Sequence, residues 1–350
     1  MMCHDTARRW ATGAMADWRD RLNGDPLPWL LDGEEPAVRH RALRELLDRP
    51  ADDPDVAEAR RAAMAADPIA TILAAQHPEG WWVKPGGGYS PKYTGTVWAL
   101  IILDQMGADG ADPRIRRACA YALDHAQAPS GGFGFSGGEK RPVNSSVAHC
   151  LNGNLLRALV GFGWLDDERV RRSLAWQAAA ITGEGMEHWN SLTPGPGFRC
   201  GINEGLACGW GAAKAVLALA RVPVASRTPA HARALEAGVD FLLSVDPASA
   251  MYPMGWGNTV PNANWWKLGF PSGYIADVLQ VMEAVCEAGH GADPRLRPAV
   301  DWLLTKQDAA GRFVNQYRYP GKMHMDIDHP RQPSRWVTLR ASRVVRTVES

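Results

Sequence analysis

"TVWALIILDQMGADGADPRIRRACAYALDHAQAPSGGF" (96–133) sets the pattern of the chain. Its first ten residues are almost wholly apolar, as in a helix buried on all sides. Gly107 and Gly110 interrupt the run. Asp112 then stands where a side-chain oxygen caps a second helix, and Pro113 sits at that helix's first position. The second helix is amphipathic, with Cys119 inside its apolar stripe, and a Gly–Gly–Phe loop closes the unit.

The same order of events recurs in "LNGNLLRALVGFGWLDDERVRRSLAWQAAAITGEG" (151–185), "GAAKAVLALARVPVASRTPAHARALEAGVDFLLSV" (211–245) and "YIADVLQVMEAVCEAGHGADPRLRPAVDWLLTKQDAAGRF" (274–313). "ADPR" at 111–114 and 292–295, with "DDER" at 166–169, falls at the same turn each time, so the likeness has a capping mechanism behind it. A looser copy occupies 36–82, and the unpaired ends, 6–22 and 336–348, are able to pair as a sixth. The period, about 55–65 residues, is too long for tetratricopeptide or ankyrin arrays and suits a long helix hairpin plus a loop. These features predict an all-α chain: an (α/α)6 toroid of about six helix hairpins in inner and outer rings. The toroid is expected to be one domain, 1–350, closed by helices 6–22 and 336–348. An open solenoid is the alternative, but a solenoid would end in whole, polar-faced repeats and not in single helices.

Composition narrows the function. The chain has 350 residues, 46% hydrophobic and 22% charged, with zero formal net charge, as in an ordinary globular protein. Neutrality without a basic run argues against a nucleic-acid partner. The first twenty residues show neither a secretory signal nor a membrane span, and six cysteines form no disulfide framework, so a cytoplasmic setting is expected. Fifteen tryptophans, with 35 glycines and 25 prolines, imply tight helix connections and a large aromatic surface.

At "QHPEGWWVKPGGGYSPKYTGTVWALIIL" (76–103), "CLNGN" (150–154), "CGWGAAKAVLAL" (208–219) and "PSRWVTLRASRVV" (333–345) the chain resembles the α–α toroids of terpenoid cyclases and protein prenyltransferase β subunits. Bacterial prenyltransferase/squalene-oxidase-repeat proteins are similar over nearly the whole length. Two departures stand out. The closest approach to the DxDD acid motif of squalene–hopene-type cyclases is "MDIDHP" (325–330), with His329 in place of the last Asp; its plainer reading is a polar loop. There is no DDxxD, because "DDPDV" (52–56) fails the spacing.

In such toroids the inner helices point their N-termini, with free N–H groups and partial positive charge, at one rim of a central cavity. Three inner-helix starts here carry unusual chemistry: "NSSVAHCLNGN" (144–154), "FRCGINEGLACGWG" (198–211) and "GFPSGYIAD" (269–277). Protein prenyltransferases hold a catalytic zinc near this rim, and Cys208 is similar in position to their ligand Cys. Leu206 replaces the accompanying Asp, and His149 resembles a diphosphate-contacting position. The resemblance thus implies a rewired zinc site on Cys150, Cys200 and Cys208. The alternative is a set of small buried thiols, which Cys119 and Cys286 also are.

Tyr93, Trp98, Trp210, Trp265, Trp266, Phe270 and Tyr274 cluster around inner-helix starts and are candidates to bind a greasy or polycyclic substrate, since ring faces stabilise positive charge. Trp176 and Trp302 recur in outer helices and belong to the core. Asp277 is a candidate general acid through desolvation, or else an ion-pair partner of an Arg. Asn152 and Asn154 are surplus to capping. The expectation is that one of them, with Asn154 the first choice alongside His149 and Asp277, orients a ligand, and that Gly153 admits a close backbone or ligand. The competing account is that the amides satisfy loop carbonyls. The expected function is an enzyme acting on a hydrophobic, terpenoid-like or polycyclic small molecule, of cyclase, isomerase or lyase type, with zinc as an optional cofactor. The alternatives are a zinc-dependent prenyltransferase-like transferase and a non-catalytic lipid- or polycycle-binding toroid. A sugar-processing (α/α)6 enzyme is disfavoured, because it would want paired carboxylates across the cavity, and the inner-helix starts show Cys, Asn and aromatics instead.

Overall fold

Apolar runs and capped amphipathic runs alternate as helices through the described part of the chain. The structure is a computed structural model that describes residues 17–136, 138–249, 251–252, 262–329 and 331–350. The helices are α1 (Leu27–Leu31), α2 (Pro36–Glu45), α3 (Pro54–Ala65), α4 (Ile69–Ala74), α5 (Thr96–Gln105), α6 (Pro113–His125) and α7 (His149–Gly161). They continue as α8 (Glu168–Thr182), α9 (Gly209–Ala220), α10 (Pro229–Leu242), α11 (Val278–Glu287), α12 (Arg297–Leu304) and α13 (Arg335–Glu349). Among the described residues only isolated β-bridges accompany them. The chain is all-α, as its periodicity predicts.

Helices α5, α7, α9, α11 and α13 are buried along most of their length, and each packs on the next in that order. Helix α13 then meets α1 and α2. Between these inner helices run the amphipathic α6, α8, α10 and α12. Of the expected helix 6–22, residues 6–16 lie outside the described residues. The rest is a single 3-10 turn (Trp18–Arg21) docked on α13, where Arg21 pairs with Glu349 at 2.9 Å.

The recurring "ADPR" and "DDER" turns share one device. Asp112, Asp167 and Asp293 each accept the backbone N–H two residues on, from Arg114 (2.8 Å), Arg169 (2.9 Å) and Arg295 (2.9 Å). The guanidinium of that same Arg folds back onto the carboxylate at 2.7 Å in all three. A second device ties three of the loops to the inner helix that follows, α5, α7 or α13. The backbone N–H of a fully buried loop aromatic donates to a polar side chain near that helix's start. The pairs are Trp82 to Thr96 (3.2 Å), Phe133 to Asn152 (2.8 Å) and Phe313 to Thr338 (2.9 Å).

Two constraints bring the inner helices together. At Gly153 an added Cβ would lie 2.6 Å from the carbonyl carbon and oxygen of Lys214, so α7 and α9 touch backbone to backbone. Charges on four helices also meet in ion pairs, fully buried around Arg340 and half-buried around Glu45, Glu287 and Arg157. Arg340 lies 2.7 Å from Glu283 and 3.4 Å from Asp277, while Arg343 donates to Glu287 (2.8 Å) and pairs with Glu45 by charge at 2.9 Å. Arg157 reaches Glu287 at 2.9 Å, and Arg41 closes the set on Glu45 at 2.8 Å. Burial alone would raise the Glu45 pKa, but Arg343 and Arg41 overcome it and hold the carboxyl down at about 2.

Two outcomes follow from these constraints. Gly→Ala inside a helix ordinarily gains about 1 kcal/mol of propensity. Gly153→Ala should instead cost about 3 kcal/mol, because the obstructing atoms are backbone; urea denaturation reads the sign directly. The Glu45 pairing contributes fully above its unfolded pKa of 4.5 and is lost as pH falls toward 2. Melting temperature should therefore fall with acid over that window in the wild type and fall less in Glu45→Gln, which starts lower at neutral pH.

Candidate functional site

Helix α7 opens the inner rim with a buried polar chain. Asn152 Oδ1 accepts from Phe133 N–H and from the Ser173 hydroxyl, both at 2.8 Å. Its amide nitrogen donates to Gln177 Oε1 at 2.9 Å, and Gln177 Nε2 donates to His149 Nδ1 at 2.8 Å. With Nδ1 accepting, the imidazole proton is assigned to Nε2, a buried atom without a partner among the described residues. Burial lowers the His149 pKa to about 4, so the ring is neutral at pH 7. Asn154, also buried, donates to the Gly273 carbonyl at 3.0 Å across the ring. Asn152 thus anchors a loop, and Asn154 has a carbonyl to satisfy.

The three thiols lie close enough to bear on one another's ionisation. A hairpin in which Cys208 N–H bonds the Phe198 carbonyl and Cys200 N–H bonds that of Leu206 brings Cys200 back toward the rim. Burial pushes Cys150 up to about 11 and Cys208 up to about 12; the nearby N–H groups of Trp210 and Gly211 offset the latter only in part. Among the described residues no three His, Cys, Asp or Glu side chains are grouped so as to hold a metal ion. The residues present therefore do not fit the zinc site that the resemblance implies, and Cys150 and Cys208 stand as protonated thiols at neutral pH.

Asp277 caps α11, accepting from Gln280 N–H (2.7 Å) and Gly269 N–H (2.9 Å), with Arg340 3.4 Å away. The Arg-paired alternative describes its surroundings. The "MDIDHP" segment lies before α13, with Pro330 outside the described residues. Its Asp326 accepts Gly321 N–H (2.7 Å), and its Asp328 accepts from Ser334 (2.6 Å) and Asn315 (3.0 Å).

The aromatic candidates divide. Trp265 and Trp266 donate to the Pro247 and Ala248 carbonyls (2.8 and 2.5 Å), and Phe270 stacks on Trp336 at 4.3 Å, so each is held by packing contacts of its own. Tyr93, Trp98, Trp210 and Tyr274 do gather at the rim. Tyr93 packs on Trp98 (5.1 Å) and Tyr319 (4.1 Å), and Tyr317 stands edge-on to Tyr319. Trp98 also meets Tyr89 (5.4 Å), and Trp210 stands edge-on to Tyr274 (5.9 Å). The Lys92 ammonium bridges the two halves, 4.4 Å from the Tyr274 ring centre and 5.7 Å from that of Tyr89. Tyr93 holds a left-handed backbone (φ 70°), rare for a bulky residue. Burial raises the phenol pKa of Tyr89, Tyr93 and Tyr319.

Sequence reasoning passed over Lys214. It is the single charge in the apolar α9, fully buried beside Cys150, and Nζ donates to Gln280 Oε1 (2.8 Å) and the Ile275 carbonyl (3.4 Å). Burial lowers its pKa to about 7, so it exchanges a proton near neutrality. A lone charge in an otherwise apolar helix was the available signal.

No protein-family model matches the chain, and no curated protein sequence matches it. Solved structures give remote similarities. The ligand-free type II terpene cyclase MstE from Scytonema is 14% identical, over 80% of this chain and 94% of that one, at a TM-score of 0.29. A variant of it in complex with its product, merosterolic acid A, is 15% identical over the same shares, also at 0.29. A protein from Actinoplanes is 14% identical over 81% of this chain and 97% of that one, at 0.32. Overlap this low carries no argument about activity. Among the described residues no helix is long and apolar enough to cross a membrane.

Lys214 makes the stability of the fold depend on pH. Its folded pKa, about 7, lies below the ordinary 10.5, so it penalises the fold below pH 7 and that penalty is relieved as pH rises toward 10.5. Lys214→Met should be more stable than wild type at pH 6, and the gap should narrow by pH 9. Parallel unfolding curves at the two pH values measure it.

Proposed function

We propose that the protein is an enzyme acting on a hydrophobic, terpenoid-like small molecule held at the aromatic rim of the inner helices, by cyclase- or isomerase-type chemistry. The observation that carries this reading is the rim itself, where tyrosine and tryptophan rings meet with a cation already resting on the Tyr274 and Tyr89 rings. Ring faces that attract an ammonium group also attract positive charge developing on a hydrocarbon chain. Trp98 is fixed by its indole bond to the Tyr89 carbonyl (2.8 Å), so it needs no reordering when a ligand arrives.

Proton transfer is the chemistry that this region supports best. Lys214, beside Cys150 and close to neutrality, is the group most able to give up and recover a proton there. Asp277 is engaged with Arg340 and two backbone N–H groups and serves α11 instead.

The test incubates the protein with C15–C30 isoprenoid substrates in the presence of a chelator and analyses products by gas chromatography–mass spectrometry. Trp210→Ala and Tyr274→Ala should each lower turnover at least tenfold with a melting temperature close to wild type. Tight binding with no product would establish the non-catalytic reading instead. Turnover that appears only on adding zinc would restore the transferase.

A further inference from the structure

A cleft of about 710 Å3 opens beside the start of α13, between residues 29–35, the Asp67–Pro68 turn and the segment 312–335. Residues 325–329 of the "MDIDHP" motif line it, and the rim does not use them. Two buried polar atoms face no partner here among the described residues: Glu35 Oε2, a carboxyl oxygen, and Arg312 Nε, a guanidinium donor. Glu35 directly precedes α2, where a side chain commonly bonds first-turn N–H groups, yet it makes no such bond. Arg312 lies flat enough on Trp29 to sit 4.4 Å from its ring centre.

Asp328 completes the group. Its backbone is left-handed (φ 64°), and Asn315 and Ser334 both engage Oδ2, leaving Oδ1 without a hydrogen bond among the described residues. Non-glycine residues held in this way concentrate at functional sites. Arg335, by contrast, is fully committed to Asp32 and Glu34. The lining is otherwise mixed, with Met325 and Ile327 beside the polar groups.

We propose that this cleft is a second ligand site, for a small neutral polyhydroxylated molecule of the sugar or polyol class, held between Glu35 and Arg312. A hydroxyl group both accepts and donates, so one hydroxyl takes the Arg312 Nε proton while it or its neighbour engages Glu35 and Asp328. An anion would suit Arg312 but face Asp326, Asp328 and Asp67. A cation would suit those carboxylates but face Arg312 and Arg318. Burial and the Asp328 charge push the Glu35 pKa up to about 7, which lets its carboxyl donate as well as accept around neutrality. Apolar side chains beside polar anchors suit the C–H face of a sugar ring, and the volume falls in the range of small-molecule sites.

Saturation-transfer NMR on the full chain, with D-glucose and maltose as probes, tests the assignment. Saturable transfer in the millimolar range is expected, weakened at least tenfold in Glu35→Ala, which loses both functions of the carboxyl. Arg312→Lys keeps the charge but loses the Nε donor, and should weaken binding similarly. Glu35→Gln, which retains a donor and an acceptor in the same place, should bind within about threefold of wild type, and its melting curve controls for folding. Absence of transfer up to about 50 mM would overturn the proposal, since that lies below any useful affinity. So would equal binding by Arg312→Lys and wild type, or binding of tartrate or spermidine in place of the sugars.

Discussion

The packing of the inner helices depends on the largely buried charges that join α2, α7, α11 and α13. Isolated buried ion pairs stabilise poorly, because desolvation consumes most of what the pairing returns. Here three of the acids meet more than one partner: Glu45 has Arg41 and Arg343, Glu287 has Arg157 and Arg343, and Glu283 has Arg340 and Arg343. Such sharing fixes which helices can be neighbours, since any other arrangement would strand a charge. Hydrophobic contact, being non-directional, would let inner helices slide past one another; the guanidinium forks do not. The close approach of α7 and α9 at Gly153 is the steric counterpart of this electrostatic lock.

How much of this was legible in the sequence depended on whether the cause was local. Alternation of apolar and capped amphipathic runs is local physics, and the Asp–Pro–Arg turns announced the outer helices. Asn152 and Gly153 were visible as anomalies, and their explanations are Phe133, Gln177 and the backbone of Lys214. None of these can be inferred from a single stretch. Comparison across repeats would have helped, because Asn152 holds a loop aromatic just as Thr96 and Thr338 do.

The rim was read less completely. Trp265, Trp266 and Phe270 share a short segment with Tyr274, yet they are carried into core packing by their own bonds and by Trp336. Tyr317 and Tyr319 were missed because they belong to a stretch without periodicity, 314–334, which reaches the rim only through tertiary structure. The charges on inner helices, Lys214, Glu283 and Arg340, were the clearest neglected signal. An ionisable side chain amid apolar neighbours must be paired, shifted or functional, and its partner comes from a different repeat.

The bonds from loop aromatics to the following inner helix run in one direction along the chain. Trp82, Phe133 and Phe313 each leave a backbone donor that only the next hairpin satisfies. A lone hairpin excised from the protein would therefore carry an orphaned amide at the base of a fully buried ring, in addition to its uncovered apolar face. Linear repeat arrays melt or nucleate piecemeal because each unit needs only its neighbour's surface. In this chain α5, α7 and α13 each answer such a donor from the hairpin before, and α13 leans back on α1 and α2. Evolution by adding or deleting one repeat is thus a costly route for this architecture, and divergence is channelled into the loops and the rim.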